Sequence, residues 1–262
     1  SIMIAYYENS NGERLNLLKA PYRIVDTDVF DSTWEENDSG FEKKVEIDVF
    51  GNRNEFAENM EYLYSIIAAD SERGVCGKLY VNGTYLRCNV QASKKSGWKG
   101  FIYSEVELTF FAPLLEWVQE IRKNFHPHTA ADNTDGLNFP FNFPFNFTRE
   151  ARGVESWKVD HVIPSDFQMI IYGPCSWPKV FINGYPYEVN ADLLENEYLI
   201  IDSRNCTVMK YNTDGTTSNL FHERGYEYSV FEKIPSGTLT ISWPEELGFE
   251  LILYVIRREP LW

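Results

Sequence analysis

Residues 138–147 read Asn-Phe-Pro-Phe-Asn-Phe-Pro-Phe-Asn-Phe, a tandem Phe-Pro-Phe-Asn repeat in mid-chain. In an extended backbone alternate side chains fall on opposite faces. Phe139, Phe141, Phe143, Phe145 and Phe147 then form one aromatic stripe, with Asn and Pro on the other face. Pro140 and Pro144 exclude a helix and cannot donate to a central ladder, which leaves an edge strand or a polyproline-like strap. Burying one Phe is worth roughly 1.5–3 kcal/mol, and a row of such rings left in water invites aggregation. The stripe must lie on something. It predicts a strap that fixes two domains of the chain, or that also helps one subunit meet the next.

The 262 residues suffice for one large domain or two ordinary ones. A hydrophobic fraction of 44% is too high for global disorder, and 16% aromatics suits β structure and protein interfaces. The net charge of -15 argues against nucleic acid as a ligand and against an anionic membrane surface, since both need clustered Lys and Arg. It is compatible with an acidic surface that DNA passes without sticking. Residues 1–7 show no signal-peptide pattern, and no apolar run is long enough to span a bilayer. The expectation is a soluble protein without membrane insertion, folded in a reducing cytoplasm, with Cys76, Cys88, Cys175 and Cys206 as thiols.

Along the chain, residues 1–50 read as strands and turns, with Val45, Ile47 and Val49 alternating against Glu46 and Asp48. One helix is predicted over 53–70, capped by Asn52 or Asn54 and followed by Gly74, with a stripe of Phe56, Met60, Leu63 and Ile67. Asn82-Gly83 between two apolar runs predicts a hairpin, flanked by Cys76 and Cys88, and 101–111 predicts a further strand. Past the Phe-Pro run the pattern is almost wholly β. Strands are expected at 167–172, 179–182, 187–190, 198–202, 206–211, 239–243 and 249–256, spaced as in a β-sandwich or jelly roll. The chain thus reads as mainly β: an α+β domain over 1–137, a strap over 138–147 and a β-sandwich over 148–262.

Signs of chemistry are few. No GxSxG, HExxH, P-loop or GxGxxG-before-helix pattern occurs, and no catalytic or cofactor-binding residue is nominated. His126-Pro127-His128 lacks a third ligand at usual spacing, and Asp26, Asp28 and Asp31 lack the closing Glu of a calcium loop, so no metal is predicted. The latter belong to a run without a base, Asp26, Asp28, Asp31, Glu35, Glu36 and Asp38, which reads as a solvated acidic face. Trp157, Trp177 and Tyr185 are candidate sugar contacts, because β-sandwiches bind carbohydrate through exposed aromatics; core packing is the competing account.

Several stretches together resemble the distal tail proteins of long-tailed bacteriophages. They include residues 6–17 (Tyr-Tyr-Glu-Asn-Ser-Asn-Gly-Glu-Arg-Leu-Asn-Leu), 77–83, 107–110, 164–167 with 171–174, 201–208 and 231–237. The resemblance covers essentially the whole chain. It implies a structural protein and no enzyme: a homohexameric ring at the tail tip, joining the tail tube protein to the tail-associated hub protein. The N-terminal domain would build the ring and a galectin-like β-sandwich would project outward as a docking platform, with receptor-binding proteins among its possible partners. DNA would only pass through the lumen, and the acidic run would face that lumen or its rim, or else meet a basic partner. The virion tail tip is the implied location, with synthesis and assembly in the bacterial host cytoplasm. The strands after 167 leave no room for an inserted sugar-binding module. A carbohydrate-binding adhesin acting through the sandwich is the alternative.

Overall fold

Strands separated by short turns, with one long helix, make up the computed structural model, which describes residues 3–25, 30–31, 33–127 and 152–262. The chain divides into two units, Ser1–Gln119 with Ile256–Trp262, and Glu120–Val255. The division falls earlier than the expected residue 137, and the C-terminal residues return to the first unit. There Leu261 accepts a hydrogen bond from Asn82 at 3.0 Å. The five Phe of the repeat lie outside the described residues.

The first unit is built from β1 (Ala5–Glu8), β2 (Arg14–Asn16), β3 (Tyr22–Ile24), β4 (Glu35–Asn37), β5 (Gly40–Phe50), α1 (Arg53–Arg73), β6 (Gly77–Val81), β7 (Thr84–Lys99), β8 (Tyr103–Ala112) and the start of β9 (Trp117–Phe125). Asn82 (φ 47°) and Gly83 (φ 85°) close β6 onto β7 with Val81 opposite Thr84, the primed turn that an Asn-Gly pair favours. The first residues of β7 pair with β6, which continues to β1 and β2; the rest of β7 pairs with β8, and β8 with β5. β3 and β4 share the other edge of β5. Alternation sends Val45, Ile47 and Val49 of β5 and Val106, Leu108 and Phe110 of β8 into the core.

Asn52 and Glu55 form a capping box at the start of α1, a cap worth about 1 kcal/mol. Gly74, at φ 65°, takes the left-handed conformation that ends the helix. Phe56, Leu63, Ile66 and Ile67 are buried, at roughly 1.5–3 kcal/mol each. Met60, expected in the stripe, is only partly buried, and Ile66 takes the central place. The helix also carries a buried charge. Asp70 accepts from Tyr7 Oη at 2.6 Å and from the Ser10 N–H at 2.8 Å, which offsets its desolvation and ties the helix end to the β1–β2 turn. Phe101 and Ile102, expected to open a strand, instead lie in an exposed turn after Gly100 (φ 60°), and β8 begins at Tyr103.

The second unit holds the rest of β9, β10 (Arg152–Val159), β11 (Asp166–Tyr172), β12 (Cys175–Ser176), β13 (Lys179–Ile182), β14 (Tyr185–Glu188), β15 (Asp192–Leu193), β16 (Tyr198–Asp202), β17 (Thr207–Tyr211), β18 (Thr217–Asn219), β19 (Gly237–Pro244) and most of β20 (Gly248–Arg257). One sheet runs β20–β11–β16–β17–β18 and another runs β10–β19–β13–β14, with β12 and β15 as a separate pair. Their inner faces form a common core that includes Phe167, Met169, Leu199, Ile201, Val180, Ile241 and Trp243. Phe125 stacks on Phe249 at 4.5 Å and meets Trp243 edge-on at 5.2 Å. The strand expected at 187–190 begins instead at Tyr185, because Asn183 and Gly184 make a two-residue turn that sets Ile182 opposite Tyr185. Cys206, at φ 51°, belongs to the turn before β17. All four cysteines are free thiols; Cys88 is buried, and burial pushes the Cys175 thiol up to about 11.

Gly77 sits where the helix end meets β1. A Cβ there would lie 2.4 Å from the Glu8 carbonyl oxygen, 2.4 Å from Tyr7 Oη and 2.6 Å from Asp70 Oδ2. Gly77→Ala is expected to cost about 2 kcal/mol. Thermal melts should show Tm lower by roughly 4–8 °C for a chain of this size.

Candidate assembly surfaces

The ladder between β5 and β8 has a core face and an outer face, and the outer face sets carboxylates of the two strands opposite one another, with Lys44 on β5 and Lys94 of β7 beside them in the pairing. In register, Glu46 lies directly opposite Glu107, and Asp48 opposite Glu105. Like charges at opposed positions are unfavourable in an antiparallel pair, so their side chains depend on neighbours. Asp48 is held by Arg23 Nη2 at 3.2 Å and by Tyr103 Oη at 2.7 Å; Tyr103 Oη also lies 3.0 Å from Glu105 Oε1. The hydrogen bond to Asp48, followed by burial and the bond to Glu105, pushes the Tyr103 hydroxyl well above the usual phenol range. The alternation of Glu46 and Asp48 was legible in the sequence, whereas their pairing with Glu105 and Glu107 needs the register.

The acidic run found in the sequence divides. Asp26 and Asp28 lie outside the described residues. Asp31 is ion-paired with the buried Lys43, whose Nζ also donates to the Thr33 carbonyl at 3.0 Å. Burial alone would raise the Asp31 carboxyl, but hydrogen bonds from Lys43 and Thr33 hold it below the ordinary value. Glu35 and Glu36 are exposed on β4, and Asp38 is exposed in the turn that follows. At the other end of the ladder, Phe101 and Ile102 are 52% and 55% exposed, beside exposed Arg53 and Lys99, while Lys95 lies over the Tyr64 ring of α1.

The three sugar-contact candidates occupy separate places in the second unit. Trp157 on β10 is half-buried, edge-on to Phe125 at 6.2 Å. Tyr185 on β14, at the opposite edge of that sheet, packs against Tyr187 and Tyr228 and donates to the Ser229 carbonyl at 3.0 Å. Trp177 is 58% exposed at φ 48°, a left-handed conformation costly for a bulky residue. A cleft of about 390 Å³ elsewhere in this unit, lined among others by Phe125, Tyr172, Pro174, Glu246 and Phe249, includes none of the three.

The second unit also carries an aromatic row that the sequence pattern did not disclose. Tyr172, Tyr198 and Tyr211 stand side by side across β11, β16 and β17, with Tyr198 and Tyr211 stacked at 4.7 Å. Among the described residues no group of three or more His, Cys, Asp or Glu is placed to hold a metal ion, and His128 lies outside them.

The chain shares its fold with solved structures of two phage proteins. It is similar to a chain of the phage P2 baseplate in its activated conformation with calcium, at 12% identity and a TM-score of 0.60, covering 99% of this chain and 100% of that one. It is also similar to the SPP1 Dit protein, described as a paradigm of the hub adsorption apparatus in phages infecting Gram-positive bacteria. That match has 10% identity and a TM-score of 0.51, covering 97% and 98% of the two chains. No family model and no curated protein matches the chain.

Exposure separates the structural from the surface aromatics. Trp243→Ala is expected to cost about 3–5 kcal/mol. Trp177→Asn is expected to change stability by less than about 1 kcal/mol, since Asn tolerates the left-handed region. Urea unfolding of the two variants checks the contrast.

Proposed function

We propose that this chain is a structural component of a phage tail tip, a hub subunit that forms a hexameric ring. In this reading the ring joins the tail tube protein to the tail-associated hub protein, and the β-sandwich offers a platform for receptor-binding proteins. The observation that carries it is a fold shared over essentially the full length with a phage baseplate chain and a phage hub protein, at 12% and 10% identity. The absence of a catalytic motif from the sequence agrees with a structural role, and assembly in the host cytoplasm followed by residence at the virion tail tip completes the proposal.

A ring of this kind has a lumen through which DNA slides. A wall of carboxylates repels phosphate and avoids trapping it. The outer face of β5 and β8, with Glu46 opposite Glu107 and Glu105 next along β8, suits that wall, while Asp48 is buried and ion-paired with Arg23. Since Asp31 is tied to Lys43, Glu35, Glu36 and Asp38 remain for the rim or for a basic partner.

The Phe-Pro repeat, with Phe139, Phe141, Phe143, Phe145 and Phe147, is proposed as the strap over 138–147 between a ring-building domain and the sandwich. A second reading, a carbohydrate-binding adhesin, is favoured by one observation only, the exposed and conformationally costly Trp177.

Negative-stain images test the proposal. The purified chain should show rings of six or stacks of them. A strictly monomeric protein that binds glycans, and loses that binding in Trp177→Ala, would replace the hub reading with the adhesin. Changing Phe141, Phe143 and Phe145 to Ser should loosen the ring or free the sandwich while both units stay folded by circular dichroism. Unaltered rings would remove the strap from the account.

A further inference from the structure

The β5–β8 ladder separates two surfaces of opposite character. Its register runs from Phe41 opposite Ala112 to Phe50 opposite Tyr103. At about 3.4 Å per residue the two ends stand roughly 30 Å apart. At the Phe50 end the β7–β8 turn presents Phe101 and Ile102, half-exposed or more, with Arg53 and Lys99 exposed beside them. The carboxylates at that end already have partners. Asp48 is held by Arg23 and Tyr103, and Glu55 accepts from the Asn52 N–H in the capping box. Arg53 lies over the Phe101 ring at 5.4 Å, so cation and ring form one surface.

At the Phe41 end the character reverses. Among the described residues β4 pairs only with β5, and all three of its residues are exposed. Glu35 stands opposite Glu42, an unfavourable like-charge pair, with Glu36 and Asp38 exposed beside it. Of the two bases nearby, Lys43 is buried against Asp31, which leaves Lys44 as the exposed one. Both ends belong to one rigid antiparallel ladder and lie at its opposite extremes. They cannot meet within one copy.

We propose that the β7–β8 tip of one copy seats against the β4–β5 end of a second copy, and that this contact joins neighbours in the ring. The inference rests on the ring reading above and names its contact. A surface that meets a different surface of the next copy is heterologous, the type of interface that generates rings when the rotation closes. The occupant is a second copy because charge complementarity is supplied within this chain: a basic apolar tip is offered by a molecule whose net charge is -15, and an acidic edge strand stands ready at the other end. The contact also explains why a three-residue edge strand carries so many carboxylates. They keep it from pairing indiscriminately and reserve it for a basic partner.

The test reverses charges at each end of the full chain. One variant carries Arg53→Glu and Lys99→Glu; the other carries Glu35→Lys, Glu36→Lys and Asp38→Lys. The affected side chains are exposed, and circular dichroism melts verify folding of each variant. By native mass spectrometry and sedimentation, each variant alone should associate at least about tenfold more weakly than the unmodified chain, as like charges then face each other across the contact. An equimolar mixture should recover the full assembly, with the two variants alternating around it. Assembly unchanged in both variants, or lost in both and not recovered on mixing, overturns the contact while leaving the ring reading intact. A monomeric unmodified chain at every concentration overturns both. A check independent of any variant is salt: association of the unmodified chain should weaken between about 0.05 and 1 M NaCl, and association indifferent to salt overturns the contact.

Discussion

The β5–β8 ladder is the constraint on which the first unit depends. Its inner face supplies Val45, Ile47, Val49, Val106, Leu108 and Phe110 to the core beneath α1. Its outer face sets Glu46 against Glu107 and Asp48 against Glu105. Period-two alternation makes these two facts one: a register that buries the apolar set must bring the carboxylates together. A slip of one residue would turn the charges into the core, so the hydrophobic drive that folds the unit also fixes its opposed carboxylates. The same rigid ladder holds a basic apolar tip and an acidic edge strand at its two ends.

The second unit rests on a different principle. Its sheets close over a core centred on Phe125, Trp243 and Phe249, whose rings meet at 4.5–5.6 Å. Its surface carries further aromatics: Trp177 in a left-handed turn and the row Tyr172, Tyr198, Tyr211 across three strands. Rigid aromatics on a stable sandwich are suited to contacts with other proteins.

Much of this architecture was legible in the sequence. The helix was marked at both ends by Asn52 and Gly74, the β6–β7 hairpin by Asn82-Gly83, and strands such as Lys179–Ile182 and Tyr198–Asp202 by turn residues on either side. These signals are local, which is why they could be read. The length of β7 was not legible because Ser96-Gly97 inside it reads as a break, and the unit boundary inside β9 was not legible because no Gly or Pro marks it. The opposed carboxylates were half legible: Glu46 and Asp48 alternate visibly, but their partners Glu105 and Glu107 lie about sixty residues away and are joined only by register. Similarly, the run from Asp26 to Asp38 looked uniform in sequence, yet Lys43 of β5 singles out Asp31, a residue of the segment before β4, through a tertiary contact. The three candidate sugar aromatics were identified by residue type alone, and type does not report which rings share a surface.

The central claim is that six copies assemble around a channel with the carboxylate face of the ladder turned toward it. A cryo-electron microscopy map of the assembled protein tests this most directly. The account predicts a ring in which Glu46, Glu105 and Glu107 line the lumen, with the β7–β8 tip of each copy against β4 of its neighbour. A ring with those carboxylates on its outer circumference, or an assembly without a channel, would contradict it.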